Sequence, residues 1–185
     1  KGSYQLLVYL LYGCGLRSSE ALNLKIKDID TNKNQLTVSN IKHFRVLSIP
    51  TKISSELNTH ISFVTQMHTK DSRSKFFNKV DADESYLFPM KQLCNNSDGM
   101  LTRMSIISNT LNYNISTAAT KANTPFKVTA QTFRHSYAVR LLQNQIDIRT
   151  VQKLLGHKHA SSTLIYTHIA QNISQRKSLS PLDLE

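Results

Sequence analysis

The run Thr129–Leu142, TAQTFRHSYAVRLL, decides the fold of this part of the chain. Thr129 is placed to cap a helix. Phe133, Tyr137, Leu141 and Leu142 recur at helical spacing and mark its buried side. The same helix carries Arg134 and His135. Downstream, Asp147 opens a second helix through Ile148, Val151, Leu154 and Leu155, which Gly156 ends. Ser161 or Ser162 starts a third, holding Tyr166. Its neighbourhood, Leu154–His168, reads LLGHKHASSTLIYTH, and His157 stands nine residues before Tyr166.

Upstream, Ser105–Ala122 reads as a helix weakened by Asn and Thr. Ile53, Leu57, Ile61, Val64 and Met67 mark another after Pro50. Tyr4–Tyr12 is almost wholly apolar and predicts a buried helix, stopped by a turn at Gly13 and Gly15. Ser18 or Ser19 caps a short helix with Glu20 in its first turn. Asp28–Asn34 reads as a polar turn. Gln35–Ser39 and Phe44–Ile49 form a β-hairpin whose tip holds Lys42 and His43. Lys70–Ser85 is charged and aperiodic and reads as a loop or insertion. Tyr86–Pro89 returns to the core, and Asn95–Gly99 is a polar turn. The strands come early and adjacent, so a doubly wound α/β fold is excluded. The expectation is an α+β, mainly helical domain with one small antiparallel sheet.

The 185 residues fit one domain with a substantial core. A net charge of +11 and a pI of about 9.8 favour a polyanionic partner and salt-sensitive binding to nucleic acid. Cys14 and Cys94 form no ligand pattern and read as free thiols in a reducing compartment. The apolar stretch at Tyr4–Tyr12 is too short to span a bilayer, and no signal peptide is visible. The abrupt start predicts that an N-terminal portion precedes this chain. The pair His157 and His159, without a nearby carboxylate or cysteine in sequence, makes no zinc site.

Three motifs, GCGLRSSEALNL at Gly13–Leu24, TAQTFRHSYAVRLL and LLGHKHASSTLIYTH, together resemble the active-site signature of the tyrosine recombinases, or phage-integrase family. The resemblance runs from Gly13 to Thr167 and implies that family's catalytic-domain fold over residues 1–185. It also implies DNA cleavage and rejoining through a covalent 3′-phosphotyrosine, with no metal, ATP or other cofactor. Arg17 and Arg134 match the two arginines that neutralise the scissile phosphate, a task suited to planar, permanently charged guanidinium groups. The plain alternatives are a helix-start Arg17 paired with Glu20 and a surface Arg134. Tyr166 matches the nucleophile; a phenol ordinarily ionises near pH ~10, and nearby positive charge lowers that. His157 matches a donor to the phosphate, and its position at a helix end also suits the helix dipole.

Lys42 matches the hairpin-tip lysine that acts as general acid on the leaving 5′-oxygen, with Arg45 the other hairpin residue able to face DNA. Lys42, His43 and Arg45 are therefore the expected DNA contacts. One position departs from the pattern. The family usually carries His three residues before the second arginine, and here that residue is Gln131. An amide donates to phosphate but shuttles no proton at neutral pH. Gln131 is thus expected as a phosphate ligand, with Tyr166 deprotonated by another route. His135, adjacent to Arg134, is expected to point elsewhere into a structural hydrogen bond.

A finer resemblance, to integron integrases, rests on YLFPMKQL at Tyr86–Leu93, DIRTVQKLLGHK at Asp147–Lys158, SPLD at Ser180–Asp183 and the long segment between Pro50 and Tyr86. It implies recombination sites of folded single-stranded or duplex DNA, joined in a homotetramer within a bacterial cytoplasm, in association with the nucleoid. The family resemblance also implies a helical core-binding domain ahead of this one, without which the fragment is expected to be weak in site affinity and able to stand as a monomer. The tail after Ile169 is expected to pack on a neighbouring protomer. Phage and Xer recombinases, a type IB topoisomerase-like enzyme and a noncatalytic DNA-binding relative are the alternatives. A nucleoid-type structural protein explains the charge but not the motif spacing.

Overall fold

The computed structural model describes residues 2–40 and 43–175. Helix α1, Ser3–Gly13, is the central spine. Its Leu6, Leu7, Leu10 and Leu11 are at most 2% exposed. Such a stripe, at about 1.5–3 kcal/mol for each leucine removed from water, holds the helix in place far more strongly than its propensity. Around it pack α2 (Ser18–Asn23), α3 (Ser54–Asp71), α4 (Ser108–Lys121) and α5 (Ala130–Gln143). Helices α6 (Ile148–Leu155) and α7 (Ser161–Gln175) close the structure against α5.

The expected mainly helical α+β class holds. The hairpin of β2 (Gln35–Asn40) and β3 (His43–Ser48) is antiparallel, with Asn40 paired to His43 and Val38 to Arg45. A third strand, β1 (Ile29–Asp30), pairs with β2; it falls where a turn was expected. The alternation of the pleat buries Leu36, Val38 and Leu47 and leaves Phe44 and Val46 exposed. Arg45 lies on the inward side with Leu47. Lys42 and the side chain of His43 lie outside the described residues, as do Ser180–Asp183 and most of the tail.

The expectation of a single small sheet is corrected. A second sheet exists: β4 (Cys94–Asn95) pairs with β5 (Leu101–Thr102). The turn between them closes because Asn96 Oδ1 accepts from the backbone N–H groups of Asp98 and Met100. The 70–85 segment is, beyond the end of α3 at Asp71, the irregular stretch expected, and it is anchored. Arg103 grips Asp71 with two nitrogens at 2.6 and 2.9 Å, Phe77 is buried, and Glu84 joins Lys25 and Lys27. Asp71 and Glu84 make specific pairs there, which a periodicity argument does not register. Tyr86–Pro89 does return to the core, with Leu87 and Phe88 fully covered.

Candidate active site

Leu16, Arg17, Ser18, Gln131, Arg134, His135, His157 and Tyr166 line one cleft of about 270 Å³. Three pieces of chain meet there: the α1–α2 turn, one stripe of α5, and the start of α7 with the loop before it. Gln131, Arg134 and His135 stand at i, i+3 and i+4, so a single helical face presents all three. This corrects the expectation for His135. Adjacency to Arg134 does not turn it away, because both belong to the stripe begun by Gln131.

Gly15 makes the turn possible. Its φ of +63° suits a residue without Cβ, and a Cβ there would meet the Tyr137 ring at 2.3 Å. The turn delivers its own carbonyl to Arg134 Nη1 at 2.6 Å, while Nη2 donates to the Leu155 carbonyl at 2.7 Å. Arg134 is only 5% exposed. Burial, then the charge of Arg17, lowers its pKa to about 10, so it remains a cation at neutral pH.

Arg17 occupies the N-cap of α2, a place expected for Ser18 or Ser19. The cap runs through Glu20, whose Oε2 accepts from the Arg17 backbone N–H at 2.8 Å. The Arg17 side chain also pairs with Glu20 at 2.8 Å and donates to the Gly156 carbonyl at 3.2 Å. The pairing with Glu20 and the place in the cleft therefore coexist.

Glu20 is the hub. Arg45 donates to both its oxygens, at 3.0 and 2.7 Å, and to the Leu154 carbonyl at 3.0 Å. Arg134 approaches Glu20 to 3.7 Å. Burial raises the Glu20 carboxyl, but hydrogen bonds from Arg45 and the Arg17 backbone, with both guanidinium charges, overcome it and hold the group at about 2. Three cations against one carboxylate leave the cleft positive, as an anion site requires. Arg45 is consumed here, with its side chain 9% exposed; the expectation that it faces DNA is corrected by the inward pleat of β3. No sequence signal marked Arg45 as a partner of Glu20, since the two lie on different elements.

His157 follows Gly156, whose φ of +64° ends α6. Its Nδ1 lies 2.9 Å from the buried Thr163 hydroxyl. When Nδ1 accepts from Thr163, Nε2–H is left as a donor. Burial, followed by the charges of Arg134, Arg17 and Arg45, lowers His157 to about 4, so the ring is neutral. It lies nearly parallel to the Tyr166 ring, with centroids 6.3 Å apart.

Tyr166 is 3% exposed and packs with Ala138, Val151 and Leu155. Burial raises its pKa; Arg134 and Arg17 pull the other way. Its hydroxyl sits 2.6 Å from His135 Nδ1. Among the described residues, no three His, Cys, Asp or Glu side chains group to hold a metal, and no helix is long and apolar enough to cross a membrane.

The arrangement offers two guanidinium groups, an imidazole donor and a phenol around one anion-sized cleft, which is chemistry for phosphodiester transesterification. Comparison with known proteins agrees with the motifs. Residues 1–172 match the phage integrase family. An integrase/recombinase of Escherichia coli is 30% identical over 200 aligned residues, covering 99% of this chain and 59% of that protein. Tyrosine recombinase XerA of Pyrococcus furiosus is 36% identical over 165 residues, covering 89% of this chain and 50% of that protein. The chain thus spans between half and three-fifths of these two relatives. A crystal structure of XerA recombinase superposes with a TM-score of 0.70 at 25% identity, covering 96% of this chain and 57% of that one. The catalytic domain of bacteriophage HP1 integrase, 18% identical, shares the fold with a TM-score of 0.54, over 96% of this chain and 82% of that one. With the family matched over nearly its whole length, this chain belongs to the phage integrase family.

Proposed function

We propose that this chain is the catalytic domain of a site-specific DNA recombinase that cuts and rejoins strands through Tyr166. The observation that carries the proposal is the convergence of Tyr166, Arg17, Arg134 and His157 on one positive cleft. Arg17 and Arg134 hold the nonbridging oxygens of a DNA phosphate, and His157 donates from Nε2. Gln131 adds an amide donor. The Tyr166 oxygen attacks phosphorus, forming a 3′-phosphotyrosine and releasing a 5′-hydroxyl. Lys42 is proposed to protonate that leaving oxygen. The adduct conserves the phosphodiester energy, so rejoining to a new 5′-hydroxyl proceeds without ATP.

Within the family, the motifs at Tyr86–Leu93, Asp147–Lys158 and Ser180–Asp183 support an integron-type integrase. The matches to proteins named XerA, XerC and XerD support a Xer-type recombinase as the second reading. Structures of XerH bound to its difH substrate and of the Tn1549 integrase bound to transposon DNA have this fold, which supports DNA as the partner. The outer face of α7 exposes Leu164, Ile165 and Ile169, an apolar patch suited to a neighbouring protomer in a tetrameric synapse. The greater length of the relatives leaves room for the further domain that the family resemblance implies.

The test is a covalent protein–DNA adduct on nicked suicide duplexes drawn from a random-sequence pool. An adduct abolished by Tyr166→Phe supports the proposal; no adduct under any condition favours a noncatalytic DNA-binding relative. Strand exchange between two labelled duplexes of the recovered sequence separates a recombinase from a topoisomerase-like enzyme.

A further inference from the structure

Gln131 leaves the proton of Tyr166 without an evident acceptor at the position where the family usually carries histidine. We infer that His135 Nδ1 is the base that takes the Tyr166 proton during strand cleavage and returns it on rejoining. The inference rests on the recombinase function proposed above.

Geometry supports it first. His135 Nδ1 and the Tyr166 oxygen are 2.6 Å apart, within the distance for direct proton transfer. Both side chains line the cleft in which the phosphate is expected, so the base meets the nucleophile where the reaction occurs. The contact joins α5 to α7 and needs no rearrangement of either helix. Gln131 is one turn earlier on the same stripe of α5, so the imidazole stands one turn further along the same surface.

The other candidates are engaged. Both Glu20 oxygens accept from guanidinium groups, of Arg17 and Arg45. His157 has its Nδ1 at Thr163 and meets Tyr166 by ring stacking. Arg17 and Arg134 are cations. His135 is kept neutral by burial and by the Arg134 charge beside it, so a lone pair is available. Arg17, Arg134, His157 and Tyr166 are the titratable groups that share its cleft.

The step balances. The Tyr166 oxygen–phosphorus bond forms as the phosphorus–5′-oxygen bond breaks. The phenolic proton passes to His135 Nδ1, and the leaving 5′-oxygen takes a proton from a separate donor, Lys42 or water. On rejoining, the incoming 5′-hydroxyl attacks phosphorus and gives up its proton to that separate group. The phenolate then leaves and recovers its proton from the His135 imidazolium, whose charge next to Arg134 favours prompt return.

The experiment measures single-turnover adduct formation by this chain on sequences recovered from the random pool. His135→Ala and His135→Gln should both slow cleavage at neutral pH by about 10²–10⁴-fold. DNA affinity and thermal unfolding of His135→Gln should remain those of the unaltered chain. Imidazole in the buffer, or Gln131→His in the same background, should restore rate to His135→Ala. A substrate with sulfur in place of the leaving 5′-oxygen should not restore it, because a thiolate leaves without an acid. The inference is overturned if His135→Gln cleaves at the unaltered rate, which indicates positioning alone, or if the sulfur substrate rescues His135→Ala, which indicates an acid. Absence of any adduct from the unaltered chain overturns the recombinase function itself, and the relay with it.

Discussion

Glu20 receives both terminal nitrogens of Arg45, at 3.0 and 2.7 Å, beneath the floor of the candidate active site. One buried carboxylate thereby positions an arginine of the sheet, an arginine of the α1–α2 turn and, at 3.7 Å, Arg134 of α5. Because the Glu20 pKa falls from 4.5 to about 2 on folding, its stabilisation is complete above the unfolded value and disappears as pH drops towards 2. The size is about 3 kcal/mol. Urea denaturation at pH 7 and pH 3 should show this loss, and Glu20→Gln should be weaker at pH 7 and flatter across the window. A Glu20→Gln profile that parallels the unaltered chain contradicts the assignment.

Arg45 and Phe44 are neighbours on opposite faces of β3. Arg45→Ala takes two charge-assisted hydrogen bonds from the buried Glu20 carboxylate, leaving it to Arg17 and the more distant Arg134, and should cost about 1.5–3 kcal/mol. Phe44→Ala, at a position 74% exposed, should stay within about 0.5 kcal/mol. Equal midpoints for the two variants in chemical denaturation would mean that Arg45 is not a strut.

Gly156 combines positive φ with close packing. Alanine there adopts a left-handed conformation costing about 1–3 kcal/mol, and its Cβ would stand 2.8 Å from Arg45 Nη1. Gly156→Ala should therefore destabilise the fold and weaken adduct formation together, since the same carbonyl receives Arg17. The double variant with Arg45→Ala should show less than the sum of the two losses.

His157 makes a separate acid response. Its pKa drops from 6.5 to about 4 on folding. The unfolded chain takes up a proton below pH 6.5 while the folded one does not, so stability is unaffected above that pH and declines between 6.5 and about 4. His157→Gln should flatten that segment of the pH–stability curve, leaving the contributions of His60 and His135, which burial also lowers, and the Glu20 segment at lower pH. Thermal melts at half-unit pH intervals resolve the two.

Arg134→Lys keeps the charge and loses the fork that reaches Gly15 and Leu155. Cleavage should fall about 10²–10³-fold, with duplex affinity reduced far less. Retained cleavage would show that charge alone suffices at this position.

The amino-acid order by itself carried the helices and the roster of the cleft. Apolar spacing placed α1, α3 and α5, Asp147 and Gly156 bracketed α6, and the motif residues Arg17, Gln131, Arg134, His157 and Tyr166 line one cavity. These are local signals: a period, a cap, a left-handed glycine, or a motif of fixed spacing. Other relationships depended on tertiary structure. Arg45 turned from the expected DNA face to Glu20 because pleat direction is set by which side of the sheet the core occupies. The short β4–β5 pair and the Arg103–Asp71 clasp join residues whose partners are fixed by chain packing. His135 met Tyr166 because α7 lies across α5, and no spacing along one helix states where another will cross it.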